Sequence, residues 1–505
     1  MTDSVLVVGA GPTGLALAIH LAMHDVPVRV IDAADGPATT SRALGMQPRG
    51  VEVLERIGAL GDLPERSRSL LNMYYNEGPR TVLRLQVGKA AAAMEKQALL
   101  ISQAEVESAL RNRFDEFGGK VEWSTRLLAA RQTAEGVSAA VRVADGDDQR
   151  LEASWLVGCD GAHSAVRKIA GIGFPGRQLI ERLLMVDVHA RWPYDPHGST
   201  TWMDTGCMLS VTALPDDVWR VFVEPPPGVP DNLSEPEIVG RVLGEFARRS
   251  GMDLDTVTDV RWASEFRLHR RLAETYRRGR MLIAGDAAHV QSPTGGQGQN
   301  TGLGDAENLG WKLVLVARGR ADQRLLDTYE GERRPLARSV LAATSTAVDI
   351  MLPNTRWKRL VRDWLAMPAV RLQAVQRRLW RAASQLDITY RGGPLAIASH
   401  HRTKGPVPGD RVPDTTCRQL DGKKVTLHAA ISGSWAVLAN DRHEATRHVE
   451  AAAALLGADL VNPLVPEQSN LREVMLIRPD GHLAWHGHPA PEKLSAWLNQ
   501  VLWPA

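Results

Sequence analysis

The glycines of Gly9-Ala10-Gly11-Pro12-Thr13-Gly14 stand between two segments of different period, and that juxtaposition dictates the local fold. Before them, Ser4 to Val8 is an almost continuous β-branched and apolar run, the pattern of a buried strand. After them, Thr13 to Met23 is rich in Ala and Leu, with Leu17 and Leu21 at helical spacing. Gly9 permits the tight turn, Gly11 lets the backbone approach a pyrophosphate, and Gly14 lets helix and strand pack closely. The helix start adds free N–H groups and the positive end of its dipole. Val26 to Ile31 reads as the second strand. Asp32 closes it 18 residues after Gly14, where an acid can bind ribose hydroxyls. The unit predicts a bound dinucleotide and leaves its identity open.

Two later stretches repeat the strand-into-acid pattern. Leu151 to Gly161 reads as one strand running into the turn Gly158-Cys159-Asp160-Gly161, with Ser164 and Arg167 opening a helix. Arg280 to Asp286 places another carboxylate at a strand's carboxyl end, where open α/β sheets bind their ligands. After it, Pro293-Thr294-Gly295-Gly296-Gln297-Gly298-Gln299-Asn300 leads into a helix expected to bury Leu303, Ala306, Leu309 and Leu313 and to end at Gly319.

In these motifs and their order the chain resembles the class A flavoprotein aromatic hydroxylases, which share the p-hydroxybenzoate hydroxylase fold. Ser41-Arg42-Ala43-Leu44-Gly45, Gln103 in Ser102-Gln103-Ala104-Glu105, and Asp305-Ala306-Glu307-Asn308-Leu309-Gly310-Trp311-Lys312 agree. The resemblance implies that FAD is bound along Gly9, Gly11, Pro12, Thr13, Gly14 and Asp32. It implies that Arg42 and Gln103 contact FAD, that Asp160 lies near FAD and the NAD(P)H path, and that Asp286 binds the ribityl chain. Pro293 would lie beside the reacting edge of the flavin, with Gly298 and Asn300 below its pyrimidine ring. Arg42 and Pro293 are the residues expected to act in catalysis, through the flavin motion known in the family. A glycine-rich helix entry suits reduced flavin, whose negative charge N–H groups and the dipole stabilise. Gln299, where many relatives carry Met, and Gly304, where Gln is usual, depart from the family pattern.

The implied architecture is α/β: a Rossmann-like FAD-binding domain (residues 1–177 and 279–345), an inserted mainly-β substrate domain (178–278), a helical bridge (346–399) and a C-terminal domain (400–505). Within the insertion, Leu184 to Trp192 and Arg261 to Leu268 read as strands, and Met208 to Leu214 pairs with Val218 to Glu224 across Pro215-Asp216-Asp217. Trp202, Met203, Trp219, Phe222, Trp262 and Phe266 are candidates to line the pocket, with core packing the preferred role for each. The Arg-rich stretch 353–385, broken at Pro368, reads as a domain-bridging helix in preference to a membrane-surface one; Trp357, Leu360, Val361 and Trp364 share a face. Pro406 to Pro413 reads as a linker.

The last hundred residues give a strand (Trp435 to Ala439), a helix ending near Gly457, two strands hinged at Pro479-Asp480-Gly481 and a terminal helix after Pro491. That order resembles the thioredoxin-like domain of phenol and aromatic polyketide hydroxylases. Cys417 is its one cysteine, so disulfide exchange is excluded and a structural or dimer-forming role is expected. His482, His486 and His488 read as an exposed histidine-rich edge in preference to a metal site.

Composition excludes several classes. A formal net charge of +2 argues against a nucleic-acid partner, and no apolar run reaches the ~20 residues of a membrane span. Three scattered cysteines suggest neither a disulfide framework nor a metal site, and a cytoplasmic monomer or homodimer without a secretory signal is expected. By the resemblance, NADPH or NADH reduces FAD, O2 adds to it, and the resulting flavin hydroperoxide oxygenates an aromatic ring. Baeyer–Villiger insertion or epoxidation with the same cofactor, and a non-catalytic flavin-binding role, are the alternatives. Leu44 stands where phenol-hydroxylase relatives carry an acid, which favours a large, already activated polyphenol or polyketide-type substrate; His189 or His197 could supply a base.

Overall fold

Four residues with no polar side chain, Val5 to Val8, are buried on every face, and such a run is stable only inside a parallel sheet covered by helices. The computed structural model describes residues 4–39, 44–78, 80–91, 94–144, 146–204, 207–226, 228–291, 296–351, 357, 360, 364–365, 367–397, 405–467, 471 and 473–503. In it Val5–Val8 (β1) leads through Pro12–Ala22 (α1) to Val28–Ile31 (β2), and a second helix, α2, spans Pro48–Arg56. β1 is flanked by β2 and by Trp155–Gly158 (β3), and β3 by Met281–Ile283 (β4), all parallel. Val121–Glu122 extends the sheet beyond β2, and Arg277–Arg278 closes its other edge antiparallel to β4.

The segment expected as one strand from Leu151 is two. Asp148–Ala153 belongs to a separate three-stranded antiparallel sheet, and Ser154 bends the chain so that β3 enters the parallel sheet. Burial explains the division: 148–153 is mostly exposed, whereas β3 is buried throughout. Both Ser154 and Trp155 donate their N–H to the Ser4 carbonyl, which pins the bend to the start of β1.

An eight-stranded, mainly antiparallel sheet lies in the middle of the chain. Its longest strands, Gly176–Ala190 and Val257–Leu272, pair antiparallel, and the hairpin Cys207–Ala213/Val218–Val223 turns at Asp216 and Asp217, both with φ above +50°. The strand Gly198–Asp204 pairs parallel with Asn72–Glu77, so the sheet also draws on residues far before the expected insertion. One face packs on the helix Glu235–Ser250. There Trp202 and Trp219 join Trp192, Tyr194 and Phe246 in a core of tilted and edge-on rings.

The C-terminal hundred residues form a second six-stranded mixed sheet with the helices Arg442–Leu456 and Pro491–Leu502. The expected hairpin is Val474–Ile477/Leu483–Gly487, turning at Gly481 with φ of 74°. The expected linker is packed: Val412 is buried, and the Gly409 N–H donates to the Leu483 carbonyl. The histidines do not form an exposed edge. His482 and His486 are buried, one beside Asp480 and the other hydrogen-bonded to Glu473; only His488 is exposed. In the bridge, the helix starting at Met367 runs through Pro368 and stops at Val370, and a new one begins at Gln373. Trp357, Leu360 and Trp364 are exposed, and Val361 lies outside the described residues. Among the described residues no helix is long and apolar enough to cross a membrane.

Candidate functional site

Because β2, β1, β3 and β4 are adjacent and parallel, their carboxyl ends form one edge. The pairings Val8↔Ile31, Val8↔Gly158 and Gly158↔Ile283 align the three distant motifs there, the position where such sheets bind ligands. Gly9 has a φ of 106°, and a Cβ on it would overlap the Cys159 carbonyl; a Cβ on Gly14 would overlap the Gly9 carbonyl. A Cβ on Gly11 would meet nothing within 4 Å, so the start of α1 faces open space. Gly11 precedes Pro12 at the first helical position, and no side chain caps the helix.

The acids hold the edge in shape. Asp32 accepts the Ala10 N–H at 2.7 Å and the Ala34 N–H at 2.9 Å. Asp160 accepts the first N–H groups of Ala165–Ile169 (α3), from Ala165 at 2.6 Å and Val166 at 3.2 Å, while its buried Oδ1 has no hydrogen-bond partner among the described residues. Ser164 caps α3 by accepting the Arg167 N–H. The buried Arg167 guanidinium lies 3.9 Å from the Phe174 ring and donates to the Ala162 and Ala287 carbonyls, both at 2.9 Å, tying the second motif to the third. Burial pushes its pKa down, with Asp160 opposing.

β4 runs into a 3-10 turn, Gly285–Ala287, from which Asp286 is exposed. Thr13 fits against this turn: a Cβ on Gly285 would come within 2.6 Å of its Oγ1. Gly298–Ala317 (α4) follows, opening at Gly298 without a side-chain cap. Asn300 is fully buried and donates to the Gly296 carbonyl at 2.7 Å and the Gly45 carbonyl at 3.3 Å, while accepting the Gln47 N–H at 2.9 Å. Its side chain thus fastens α4 to the chain before α2. Gln299 donates to the Met46 sulfur at 3.3 Å, a contact that accounts for a polar residue there. Gln103, in the first turn of the helix Gln103–Glu116, donates to Glu107 at 2.7 Å. Arg42 and Pro293 lie outside the described residues, as do the side chains of Met203 and Phe266.

Of the expected pocket residues, Trp202 and Trp219 serve the aromatic core. Phe222 and Trp262 fall on the opposite face of the sheet, in register with Met185 and Asp187. That face also carries Ser199, Thr201, Ser210 and Thr212, linked hydroxyl to hydroxyl, and the ion pair of Arg220 with Asp187 at 2.7 Å. His189 shares this face by strand alternation, whereas His197 is exposed at a turn.

Sequence reasoning missed the back of α4. Expected to bury one apolar stripe, it is buried nearly all round, including Asp305, Glu307, Asn308 and Lys312. Glu307 pairs with Arg56 at 2.6 Å and Arg49 at 2.9 Å, both on α2, and Arg49 also donates to the Asp480 carbonyl. Lys312 pairs with Glu332 at 2.9 Å on Asp327–Met351 (α5). Burial lowers the Lys312 pKa to about 8 against the pull of Glu332. These four polar residues fall on one half of the helix, as they would on a solvated helix, so nothing in the chain signalled that other ions would bury them.

The donor set at the carboxyl edge fits FAD: two uncapped helix starts, an open glycine in front of one, and acids at three strand ends. An FAD binding domain family matches residues 2–344, and an aromatic-ring hydroxylase C-terminal family matches 405–505. The chain is 34% identical to 6-methylpretetramide 4-monooxygenase of Streptomyces rimosus over 96% of its length and 90% of that protein's. It is 31% identical to pentachlorophenol 4-monooxygenase of Sphingobium chlorophenolicum, over 95% and 86%. Among solved structures, aklavinone-11 hydroxylase in complex with FAD and aklavinone superposes with a TM-score of 0.82 at 26% identity, covering 99% of each chain. The chain belongs to the FAD-dependent aromatic-ring hydroxylases, monooxygenases that consume O2 and a reduced nicotinamide.

Proposed function

We propose that this enzyme hydroxylates a polyphenolic or aromatic polyketide-type substrate, with NADPH or NADH as electron donor. The observation that carries the substrate class is the face of the central sheet turned away from its helix. It combines the half-buried rings of Phe222 and Trp262 with a row of buried hydroxyls and the largely buried Arg220–Asp187 pair, a composition that suits a broad aromatic bearing oxygens. Leu44 supports a substrate that needs no dedicated base; should one act, His189 on this face is the candidate, since His197 is exposed at a turn. The likeness to 6-methylpretetramide 4-monooxygenase and aklavinone-11 hydroxylase supports the same class, and that to pentachlorophenol 4-monooxygenase supports aromatic hydroxylation more broadly.

The balance is substrate C–H plus O2, NAD(P)H and a proton, giving substrate C–OH, water and NAD(P)+. FAD, when bound, supplies the electron and oxygen chemistry. The chain's residues bind and orient it. Gly9, Gly11, Pro12, Thr13 and Gly14 present the α1 start to the pyrophosphate, and Asp32 takes the ribose. Arg42, Gln103 and Asp286 contact the cofactor, with Asp160 on the nicotinamide side. Pro293, Gly298 and Asn300 border the ring and keep water from the reacting edge. Arg42 and Pro293 act where the ring changes position. We assign residues 1–177 and 279–345 to cofactor binding, 178–278 to substrate, 346–399 to a bridge, and 400–505 to a thioredoxin-like module. A cytoplasmic monomer or homodimer is the proposed state, and the near-neutral charge supports a protein without nucleic-acid or membrane partners.

Stopped-flow absorbance of the yellow holoenzyme with NADPH or NADH tests this, using a panel of phenols and polyketide aromatics. A polycyclic compound should accelerate flavin bleaching and gain one hydroxyl by mass and NMR. Acceleration by simple phenols alone would overturn the substrate class.

A further inference from the structure

The buried carboxylate of Asp305 has no role in the proposed reaction, yet it touches the part of the chain that presents Asp286. Its Oδ2 accepts the Gly285 N–H at 3.0 Å and lies 2.6 Å from His289 Nε2. The peptide before Asp286 is therefore held by Asp305 on one side, while Thr13 crowds the Gly285 Cα on the other. The other oxygen, Oδ1, accepts from Arg333 Nε at 2.6 Å.

Arg333, on α5, divides its donors among three segments. Besides Asp305, it donates from Nη2 to the Thr301 carbonyl at 2.8 Å and from Nη1 to the Tyr390 hydroxyl at 3.0 Å. Thr301 follows Asn300 in the first turn of α4. One guanidinium thus fixes both the Asp286 turn and the start of the flavin-ring helix. Gly304 makes room for it, since a Cβ there would lie 2.9 Å from Nη2. That accounts for the departure from the family pattern at 304.

Tyr390 connects this cluster to the C-terminal module. Its ring lies 4.2 Å from that of His482, and the Arg478 guanidinium is 5.1 Å from its centroid. Arg478 in turn pairs with Glu332, the neighbour of Arg333, at 2.6 Å. Removing one partner from a buried charged cluster is costly, so such a cluster admits few arrangements of the segments it joins. Two of those segments carry cofactor contacts.

We propose that Arg333 and Asp305 are positioning residues that set the Asp286 turn and the start of α4 in one register, and that the C-terminal module acts on FAD affinity through Tyr390. This rests on the reading of Asp286 as an FAD contact. The module, which lacks a redox cysteine pair, thereby holds the segment that orients the cofactor site.

FAD titration of the full-length apoprotein, followed by flavin fluorescence, tests the proposal beside thermal melting of the same apoprotein. Tyr390→Phe removes one hydroxyl and leaves Arg333 bonded to Asp305 and Thr301. It should lower the apoprotein melting point by what one buried hydrogen bond contributes and, beyond that, weaken FAD binding roughly five-fold. Asp305→Asn should weaken FAD more than Tyr390→Phe does. If it fails to fold, Arg333→Lys takes its place, because a lysine cannot serve three segments at once. A purely structural role predicts a lower melting point with FAD affinity within two-fold of the parent, and that result overturns the inference. Asp286→Ala separates the two readings. If it alone loses FAD, only the positioning role falls; if it binds FAD like the parent, the ribityl assignment falls and the proposal with it.

Discussion

His428 should make this protein lose stability in mild acid, and the size of the loss follows from its contacts. It sits in the short helix Leu427–Ile431 of the C-terminal module, fully buried. Its Nε2–H donates to the Val412 carbonyl at 2.9 Å, so Nδ1 is the acceptor facing Arg56 Nη1 at 3.2 Å. A second proton would have to enter Nδ1 against that guanidinium. Burial first, and Arg56 next, lower the pKa from 6.5 to about 3, against the opposing pull of Glu52. Between those values the unfolded chain binds a proton that the folded chain refuses. Stability is therefore complete above 6.5 and declines as pH falls toward 3, by about 1.4 kcal/mol per unit. From pH 7 to pH 5 the loss is about 2 kcal/mol from this residue. His20, lowered to about 4 chiefly by burial, adds a loss of the same sign. Glutamine at 428 can still donate to Val412 and accept from Arg56 but does not titrate. Urea unfolding at pH 7 and pH 5 should show His428→Gln losing about 2 kcal/mol less than the parent over that interval. An equal loss in both proteins would refute the buried neutral histidine.

Two further outcomes separate folding from binding at the carboxyl edge. Gly11→Ala should leave thermal stability unchanged and weaken FAD, because its methyl enters empty space before α1, whereas Gly14→Ala should cost about 3 kcal/mol through collision with the Gly9 carbonyl; equal melting points would refute this division. Arg167→Gln should destabilise the protein by about 2 kcal/mol, since one buried and one half-buried carbonyl lose a charged donor, and a melting point unchanged from the parent would show that the tie between the motifs carries no energy.

The parts of the fold legible in the chain were local in origin. β1, α1 and β2 are specified by runs that each declare a period, and the hairpin around Asp216 by turn residues between alternating strands. The division at Ser154 was hidden because both halves of the stretch carry strand-forming residues; only the carbonyl of Ser4, some 150 residues earlier, decides where the bend falls. Likewise, the polar back of α4 is intelligible only through Arg49, Arg56, Glu332 and Arg333, whose positions along the chain carry no mark of that encounter. His482 reads wrongly as exposed for the same reason, since its environment is Tyr390 and Asp480, not solvent. Polar residues in periodic segments do not announce whether water or a distant ion will satisfy them.

The seam beneath α4 divides adhesion from alignment. One apolar core runs from β1 and α1 into Trp435, Val437 and Leu498 of the C-terminal module, with Trp311 and Trp435 edge to face at 5.2 Å. Such burial is favourable but non-directional, and a small slip would change it little. The ions are less forgiving: a slip that uncouples Glu307 from Arg56, or Glu332 from Arg478, strips a buried carboxylate of one of its two cationic partners, leaving only Arg49 or Lys312 to offset its burial. If the first turn of α4 borders the flavin ring as proposed, alignment of that kind matters for rate, since a displacement of about 1 Å in a reacting pair costs on the order of a hundredfold. Thiol chemistry in the module is absent on the same physical grounds, because burial pushes the Cys417 thiol up to about 12 and it has no partner cysteine in that half of the sequence. On the proposal above, the module contributes through geometry, by fixing where α4 begins.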